Sequence, residues 1–357
     1  MIRKRHTITF VLLMVTFLLT SSAIYYFQPK PIPFEYPKEW PAPQPIFQKN
    51  KLTEEGFQLG RRLFYDGNLS KDGEVSCASC HQQFAAFANY DHDLSHGVNN
   101  GLSTRNTPAL INVAWMKTMH WDGAINHIET QPLAPLTAPN EMGESLDSVL
   151  EKIRKDSIYP SMFRAAFGDS KITSQRMLRA ISQFVGSLVS YNSKYDQVKA
   201  GTTVFTDYEA RGYGIFRQHC SGCHAEPLFT DNNFRNNGIS LNKYGDVGLM
   251  KTTGLAEDSL KFKVPTLRNI QLTFPYMHDG RQYSLFGVID HYRTGIDTSR
   301  KDIDPLLQKK IVLSNKEKID LVYFLYTLTD SSFIKNPRFA PERKIIVKNP
   351  HHPYMVN

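Results

Sequence analysis

Two C-x-x-C-H motifs, at residues 77–81 and 220–224, constrain this chain more than any other feature. They contain all four cysteines, so no thiol remains for a structural disulfide elsewhere. A His directly after the second Cys is typical of c-type haem attachment, in which two thioethers hold the porphyrin and the imidazole binds iron. The alternatives are a pair of redox-active dithiols or one zinc site built from both motifs, but neither explains the His. We therefore predict two haem c groups, held by Cys77, Cys80, Cys220 and Cys223, with His81 and His224 as axial iron ligands.

Composition and charge narrow the class of protein. A hydrophobic content of 41% and a charged content of 21% are typical of a globular chain and exclude a disordered one. The formal net charge is +8, but the Lys and Arg residues are scattered along the sequence. A nucleic-acid-binding surface needs them clustered, so we expect no nucleic-acid partner.

The first 27 residues have the features of an export segment. Arg3, Lys4 and Arg5 precede a mostly apolar run over residues 8–27, which predicts either a cleaved signal peptide or a retained membrane anchor. Export suits c-type haem, which bacteria attach outside the inner membrane, so we expect a periplasmic protein. Residues 28–49 contain seven prolines and are predicted to form an extended linker.

Helix signals dominate the remaining sequence, and strand signals are few. Thr206 and Glu209 form a T-x-x-E capping box before the second motif, and Ser314 and Glu317 form another capping box. Thr53, Ser145 and Thr173 are further candidate N-caps. We predict a mainly α fold with two cytochrome-c-like domains, each holding one haem. The predicted limits are 50–200 for the first domain, 201–335 for the second, and 336–357 for a C-terminal tail.

Several segments outside the motifs point to a known family. They lie at residues 59–64, 105–110, 121–123, 139–143, 264–269 and 275–280. With the two motifs in this order, residues 50–330 resemble the bacterial di-haem cytochrome c peroxidases and the related MauG enzymes. The resemblance implies that the first haem is peroxidatic and that the second transfers electrons.

The resemblance also implies roles for four residues near the first haem. Glu141 would act as the acid–base residue in peroxide cleavage, and Gln131 as a pocket amide beside the iron-bound oxygen. Trp121 would lie between the haems on the electron path. His96 is similar to a loop His that ligates the resting peroxidatic iron in many relatives, and its alternative is a solvent-exposed loop residue.

Two further ligand sets come from the resemblance. Tyr292 stands where the peroxidases carry the axial Met of the second haem and where MauG has a Tyr. A helical stripe of Leu285, Val288 and Ile289 puts Tyr292 on the same face, while His291, Met277 and Met250 remain rival ligands. The positions that hold one Ca²⁺ between the domains in the family correspond to Asn106, Thr273 and Pro275, which would offer one side-chain oxygen and two carbonyls.

The resulting expectation is a peroxidase that reduces hydrogen peroxide with electrons from a small c-type cytochrome or cupredoxin. A MauG-like oxidase, which would draw electrons from a protein substrate, is the alternative that Tyr292 favours. A plain electron-transfer cytochrome is a third reading, and the segment around Glu141 argues against it. The family is often dimeric, so a homodimer is consistent with the resemblance.

Overall fold

The computed structural model describes residues 28–90 and 92–342, and this part of the chain is mainly helical, as predicted. Its two short strands, β1 and β2, pair antiparallel with Phe234 opposite Lys263. The predicted signal or anchor at residues 1–27 lies outside the described residues, and no helix within them has the length and apolar character to cross a bilayer. The α-helices and strands are α1 Glu54–Tyr65, α2 Cys77–Cys80, α3 Leu133–Thr137, α4 Leu146–Lys155, α5 Tyr159–Phe167, α6 Ser174–Gly186, α7 Lys194–Lys199, α8 Asp207–His219, β1 Phe234–Arg235, α9 Met250–Thr253, β2 Phe262–Lys263, α10 Leu285–Asp290, α11 Asn315–Tyr326 and α12 Ser331–Ile334.

Shorter helical turns complete the secondary structure. They are the 3-10 turns Gly67–Leu69, Gln83–Ala85, Val98–Asn100, Val113–Trp115, Ala256–Asp258, Ile270–Leu272 and Pro305–Leu307, and the π-helical turn His291–Gly295. Residues 82–110, which precede the Trp121 segment, contain only two of these turns among their described residues.

The predicted helix starts are confirmed at the level of single hydrogen bonds. The Thr53 hydroxyl accepts from the Gly56 backbone N–H at 3.1 Å, which satisfies one free donor at the start of α1. Ser145 and Thr173 cap α4 and α6 in the same way. Both predicted capping boxes form, at the starts of α8 and α11.

The first hydrophobic core is organised by the close packing of α1 on α6. A Cβ on Gly60 would lie only 1.8 Å from the Ala180 carbonyl oxygen, so no side chain larger than a hydrogen fits there. Phe57 and Phe64 of α1 contact Phe184 of α6 with ring centroids 5.4 and 5.1 Å apart. This packing holds the chain just before the first C-x-x-C-H motif.

The second core repeats the arrangement with α8 and α11. A Cβ on Gly212 would lie 2.0 Å from the Asp320 carbonyl oxygen, and Phe216 packs on Phe324 with ring centroids 5.1 Å apart. Because α8 ends at His219, its packing on α11 sets the position of the second motif.

The chain passes from the first core to the second between Leu188 and Tyr195, and it returns to the first core between Leu328 and Phe333. Tyr195, which precedes the predicted boundary at 200, belongs to the second core. Phe333 and Phe339 belong to the first core, and the Tyr65 hydroxyl donates to the Phe339 carbonyl at 2.8 Å. The described part of the predicted tail, residues 336–342, therefore packs against the first core. The part of the protein around this core is called the first half below, and the part around the second core is called the second half.

The proline-rich segment lies on the body of the protein, and turns closed by the Pro37 and Pro45 carbonyls interrupt it. Trp40 is 6% exposed and packs on Trp115, whose indole N–H donates to the Pro41 carbonyl at 2.7 Å. The Arg268 guanidinium stands 4.5 Å from the Trp40 ring. Residues 28–49 therefore form a strap that contacts both halves of the protein.

Candidate functional site: a cavity shared by two cysteine motifs

One cavity of about 800 Å³ is lined by both C-x-x-C-H motifs. Its walls come from the first half and from the second half, which includes β2, and they are mostly apolar. The predicted site residues that line it are Cys77, Cys80, His81, His96, Asn106, Trp121, Gln131, Glu141, Cys220, Cys223, His224, Thr273, Pro275 and Tyr292. The structure therefore brings every predicted site residue to one cavity.

The first motif presents two thiols and one oriented imidazole. Cys77 and Cys80 are the ends of α2, whose start is capped by a box formed by Ser76 and Ser79. His81 Nδ1 lies 2.8 Å from the Phe87 carbonyl oxygen, so this nitrogen carries the proton and Nε2 keeps its lone pair. Burial lowers the pKa of His81 to about 4, which keeps the ring neutral. A neutral imidazole with an oriented free nitrogen is a suitable iron ligand.

The second motif repeats this chemistry at the end of α8. His224 Nδ1 lies 3.2 Å from the carbonyl oxygens of both Phe229 and Pro265, which again leaves Nε2 for a ligand. Burial lowers the pKa of His224 and raises the pKa of Cys220 to about 12 and that of Cys223 to about 11.

These donor sets fit covalent haem. All four cysteines are free thiols, and each pair stands with its His on the wall of an apolar cavity. Each His has its Nδ1 hydrogen-bonded to a backbone carbonyl, the arrangement that fixes a metal-bound imidazole. The residues of each motif therefore fit one haem c.

Glu141 reaches the cavity beside the first motif. Its backbone is fixed by Val98, whose N–H donates to the Glu141 carbonyl at 2.7 Å. Burial raises the pKa of the Glu141 carboxyl. Burial also raises the pKa of the Cys80 thiol to about 11, and the Glu141 charge adds to that rise, which places the carboxylate near this thiol. Asp122 also lines the cavity, but its carboxylate is paired with Arg105 at 2.6 Å.

Gln131 also lines the cavity and contacts a residue that sequence reasoning missed. Its side-chain nitrogen is 3.4 Å from Nε2 of His120, and both residues line the cavity. Pro135 lines the cavity as well. The one signal for His120 in the sequence was its place directly before the segment at 121–123.

Trp121 is held between the two halves. Its indole N–H donates to the Asn106 carbonyl at 2.8 Å, and its own carbonyl accepts from the Lys263 backbone N–H at 2.8 Å. Asn106 belongs to the first half and Lys263 to β2 of the second, so the first half holds the indole and the second half holds the backbone of Trp121.

A buried charge cluster beside Trp121 was also missed by sequence reasoning. Arg105 donates to both carboxylate oxygens of Asp246 at 2.6 and 2.7 Å and contacts Asp122 at 2.6 Å. Lys263 donates to the Thr118 carbonyl at 2.7 Å, and burial lowers its pKa to about 8. Two cations and two carboxylates therefore lie together beside Trp121.

The structure distinguishes Tyr292 from two of the other candidate ligands of the second haem, His291 and Met250. Tyr292 lies in the π-helical turn and lines the cavity. Burial raises its pKa to about 12; the Asn237 hydrogen bond opposes this rise, and the two thiols of the second motif add to it. His291 Nε2 lies 3.0 Å from the Asn237 carbonyl oxygen, and neither it nor Met250 is among the cavity-lining residues that the structure describes. Met277 lines the cavity and accepts from the Asn237 amide at 3.6 Å.

His96 and the predicted calcium residues have neighbours of their own. The His96 carbonyl accepts from the Cys80 thiol at 3.9 Å, and the His96 ring lies 5.3 Å from that of His92. The Asn106 side-chain amide donates to the Asp93 carbonyl at 3.0 Å. Within residues 28–90 and 92–342, no cluster of three or more His, Cys, Asp or Glu could hold a metal ion, so calcium here would rest on amide and carbonyl oxygens.

Comparison with known proteins shows which family this chain belongs to. The family model for di-haem cytochrome c peroxidase matches residues 54–204. The methylamine utilization protein MauG of Methylorubrum extorquens is 34% identical over 303 residues, which is 83% of each chain. The cytochrome c551 peroxidase of Nitrosomonas europaea is 30% identical over 305 residues, covering 84% of this chain and 87% of its own. This chain belongs to the di-haem cytochrome c peroxidase and MauG family.

Family membership makes the chain a haem-dependent oxidoreductase and implies two haem c groups. A solved structure from the family, a MauG-like protein associated with microbial copper homeostasis, is 35% identical. It superposes with a TM-score of 0.79 and covers 87% of this chain and 99% of its own. The family resemblance drawn from the sequence segments is thus confirmed. Relatives named MauG and relatives named cytochrome c peroxidase both match, so membership alone does not choose between the two activities.

Proposed function

We propose that this chain is a periplasmic di-haem peroxidase in which the haem at Cys77 and Cys80 reacts with hydrogen peroxide and the haem at Cys220 and Cys223 supplies electrons. The observation that carries this proposal is the placement of Glu141. It stands beside the first motif, on the wall of a cavity that also contains the second motif. Two cytochrome-c-like domains, one around each core, are the arrangement that these positions support.

When bound, the first haem supplies an iron centre that exchanges electrons with peroxide. Glu141 takes the proton from the near oxygen of peroxide and returns it to the leaving oxygen, which departs as water. Burial supports this role because it raises the pKa of the Glu141 carboxyl toward the working pH. Gln131 offers an amide hydrogen bond to the reacting oxygen from the same wall.

Electrons would enter at the second motif and reach the first motif across the cavity. Trp121, which both halves fix by hydrogen bonds, stands on the route between the motifs. The second motif lies near the surface, since a Cβ on Gly222 would be 3.2 Å from Leu306 Cδ1 and Leu306 is 54% exposed. Lys309 and Lys310 are exposed close by. This surface suits a small donor protein such as a c-type cytochrome or a cupredoxin.

A MauG-like oxidase is the second candidate, and Tyr292 favours it. The phenol lies near both thiols of the second motif, where a hard oxygen ligand in place of Met would lower the haem potential. An enzyme of this type would draw electrons from a protein substrate instead of a small donor. The similarity to MauG and to the MauG-like structure supports this candidate equally.

Three finer expectations belong to the proposal. One Ca²⁺ would bind at Asn106, Thr273 and Pro275, which share the cavity wall between the halves. His96 would be the resting ligand of the first iron, because its loop is joined to the motif by the Cys80 contact. A homodimer is the expected assembly from the family resemblance.

Steady-state turnover tests the main proposal. Holoprotein with both haems should consume hydrogen peroxide while oxidising a reduced small cytochrome c, and Glu141→Gln should abolish most of this turnover. Tyr-bound ferric haem without cytochrome turnover would support the MauG-like candidate instead. Two six-coordinate haems in every redox state, indifferent to Glu141→Gln, would refute both and leave an electron-transfer protein.

A further inference from the structure

His120 lines the cavity but has no part in the proposed mechanism. It adopts a left-handed backbone conformation with φ of 65°, which is uncommon for a residue other than glycine. The neighbours on both sides are anchored: Met119 forms a β-bridge with Ile125, and Trp121 is hydrogen-bonded to both halves. The fold therefore holds His120 in this conformation and its imidazole on the cavity wall.

The direct partner of His120 is Gln131. The side-chain nitrogen of Gln131 lies 3.4 Å from His120 Nε2. An amide NH₂ group has only protons to offer, so His120 Nε2 must accept and its own proton must reside on Nδ1. One Gln131 N–H is thereby engaged, which leaves the other N–H and the carbonyl oxygen in a defined direction.

Burial is the main reason that the His120 ring is neutral. Burial lowers the pKa of His120; Asp122 opposes this effect, and Lys263 and Arg105 reinforce it. His120 in turn lowers the pKa of the nearby His81. The opposing charges are engaged with each other or with backbone, since Asp122 pairs with Arg105 and Lys263 donates to a carbonyl. The lone pair on Nε2 is thus left to Gln131.

We propose that His120 is a positioning residue, whose Nε2 holds the Gln131 amide in the direction from which it meets a ligand at the first haem. The inference rests on the proposed function only in assigning peroxide as that ligand. The chemistry it describes is more general, because any hydrogen-bond-accepting ligand bound beside Gln131 would be stabilised by the oriented N–H.

Fluoride binding to the oxidised holoprotein tests the positioning without any turnover. Fluoride is a strong acceptor, so its dissociation constant reports the Gln131 N–H. His120→Phe keeps a ring of similar size but no acceptor, and should weaken fluoride binding about fivefold, the usual value of one net hydrogen bond. His120→Gln restores an acceptor near the Nε2 position and should bind within about twofold of the native protein. His127→Phe, which removes the other nearby histidine, should bind like the native protein.

A double-mutant cycle links the effect to Gln131. If His120 acts through this amide, His120→Phe should add nothing to Gln131→Leu, because the group that it positions is already gone. Additive effects would overturn the inference, and so would a His120→Gln variant as weak as His120→Phe. Where His120→Phe does not load two haems, the pH dependence of fluoride binding decides between native protein and His120→Gln. Affinity in the native protein should lose an additional increment below pH 6.5, as His120 takes up a proton, and this increment should be absent in His120→Gln.

Peroxide mixing then separates the two proposals. Native holoprotein that binds fluoride with the expected pattern but is inert to peroxide would refute the proposed function and support the positioning role. Reaction with peroxide without any effect of the His120 substitutions on either ligand would do the reverse. A native protein in which the first haem binds neither ligand would overturn both.

Discussion

Arg105 offers the sharpest test of how the two halves are joined. Its guanidinium binds Asp246 of the second half through two hydrogen bonds and Asp122 of the first half through one, all between 2.6 and 2.7 Å. The side chains of Asp122 and Asp246 are only 7% and 9% exposed. Arg105→Met would keep the length of the side chain and remove its charge and all of its donors.

The expected cost follows from what the substitution leaves behind. Two carboxylates would remain buried without their shared cation, and removing one partner of a buried pair typically costs about 3 to 5 kcal/mol. We expect this variant to lose that amount of unfolding free energy at pH 7. Arg105→Lys should lie in between, since an ammonium keeps the charge but cannot form the fork to Asp246.

The pH dependence has a defined sign. Burial raises the pKa of Asp246, but the Arg105 hydrogen bonds, the Gly248 backbone N–H and the Arg105 charge together outweigh it, so the pKa in the folded protein lies below 3.8. The stabilisation from this ionised carboxylate is complete above the unfolded-state pKa and is lost as the pH falls through the folded-state value. Without Arg105, burial is opposed mainly by the remaining Gly248 hydrogen bond, and Asp246 would take up a proton at higher pH than in the native protein. The deficit of Arg105→Met should therefore shrink between pH 7 and pH 4.

Urea unfolding of the holoprotein, followed by far-UV circular dichroism, measures this effect. The matched control is Lys155→Met, which removes an equally short ion pair, 2.6 Å from Glu151, on the exposed face of α4. The control should leave the unfolding midpoint unchanged, because exposed pairs contribute little. A loss of less than about 1 kcal/mol for Arg105→Met, or a deficit that grows on acidification, would refute the reasoning.

Three further predictions address the site and the strap. Glu141→Gln should slow the reaction of the first haem with peroxide by about 100-fold or more at unchanged haem content, whereas Glu144→Gln, which alters an acid paired with Lys152, should not; stopped-flow absorbance checks both. The native rate should rise with pH through the raised pKa of Glu141, and a loss below threefold would contradict its role. Tyr292→Met should raise the potential of the second haem in a redox titration, and an unchanged potential would exclude Tyr292 as its ligand. Arg268→Met should release Trp40 and increase its fluorescence quenching by iodide, since the fully buried Arg268 side chain supports that ring at 4.5 Å.

The parts of this molecule that the sequence predicted correctly are those with local causes. A helix cap needs only residues three apart, so the starts of α1, α8 and α11 could be located from Thr53, Thr206 and Ser314. A C-x-x-C-H motif is also local, because the chain alone brings both thiols and the imidazole to one place. These two kinds of signal were enough for the fold class and for both cofactor anchors.

The parts that were missed depend on contacts between distant residues. Arg105 and Asp246 are 141 positions apart, and neither has a neighbour in sequence that indicates the other. The proline content of residues 28–49 contained no information on the Arg268 side chain against which Trp40 packs. Such pairings follow from the fold and could not be found from periodicity or capping.

Tyr292 lines the cavity, but not through the regular helix that the sequence pattern predicted. Its predicted position assumed a regular helix from Leu285, with Tyr292 on the face of Val288 and Ile289. The regular helix ends at Asp290, and a π-helical turn follows over His291–Gly295. The wider turn still brings Tyr292 to the cavity while His291 bonds to the Asn237 carbonyl. Single π turns often occur at functional sites, which agrees with a ligand role for this residue.

The wall between the motifs is where the two proposed activities must differ. Both a peroxidase and a MauG-like oxidase need the same anchors, so the four thiols and two imidazoles cannot distinguish them. The direction in which electrons cross the cavity depends on the relative potentials of the two irons, and charge near an iron shifts its potential. Arg105, Lys263, Asp122 and Asp246 lie together beside Trp121, on the electron route proposed above. Because this cluster is buried, its field is poorly screened, and a substitution within it should change the exchange of electrons between the haems even where both haems remain bound.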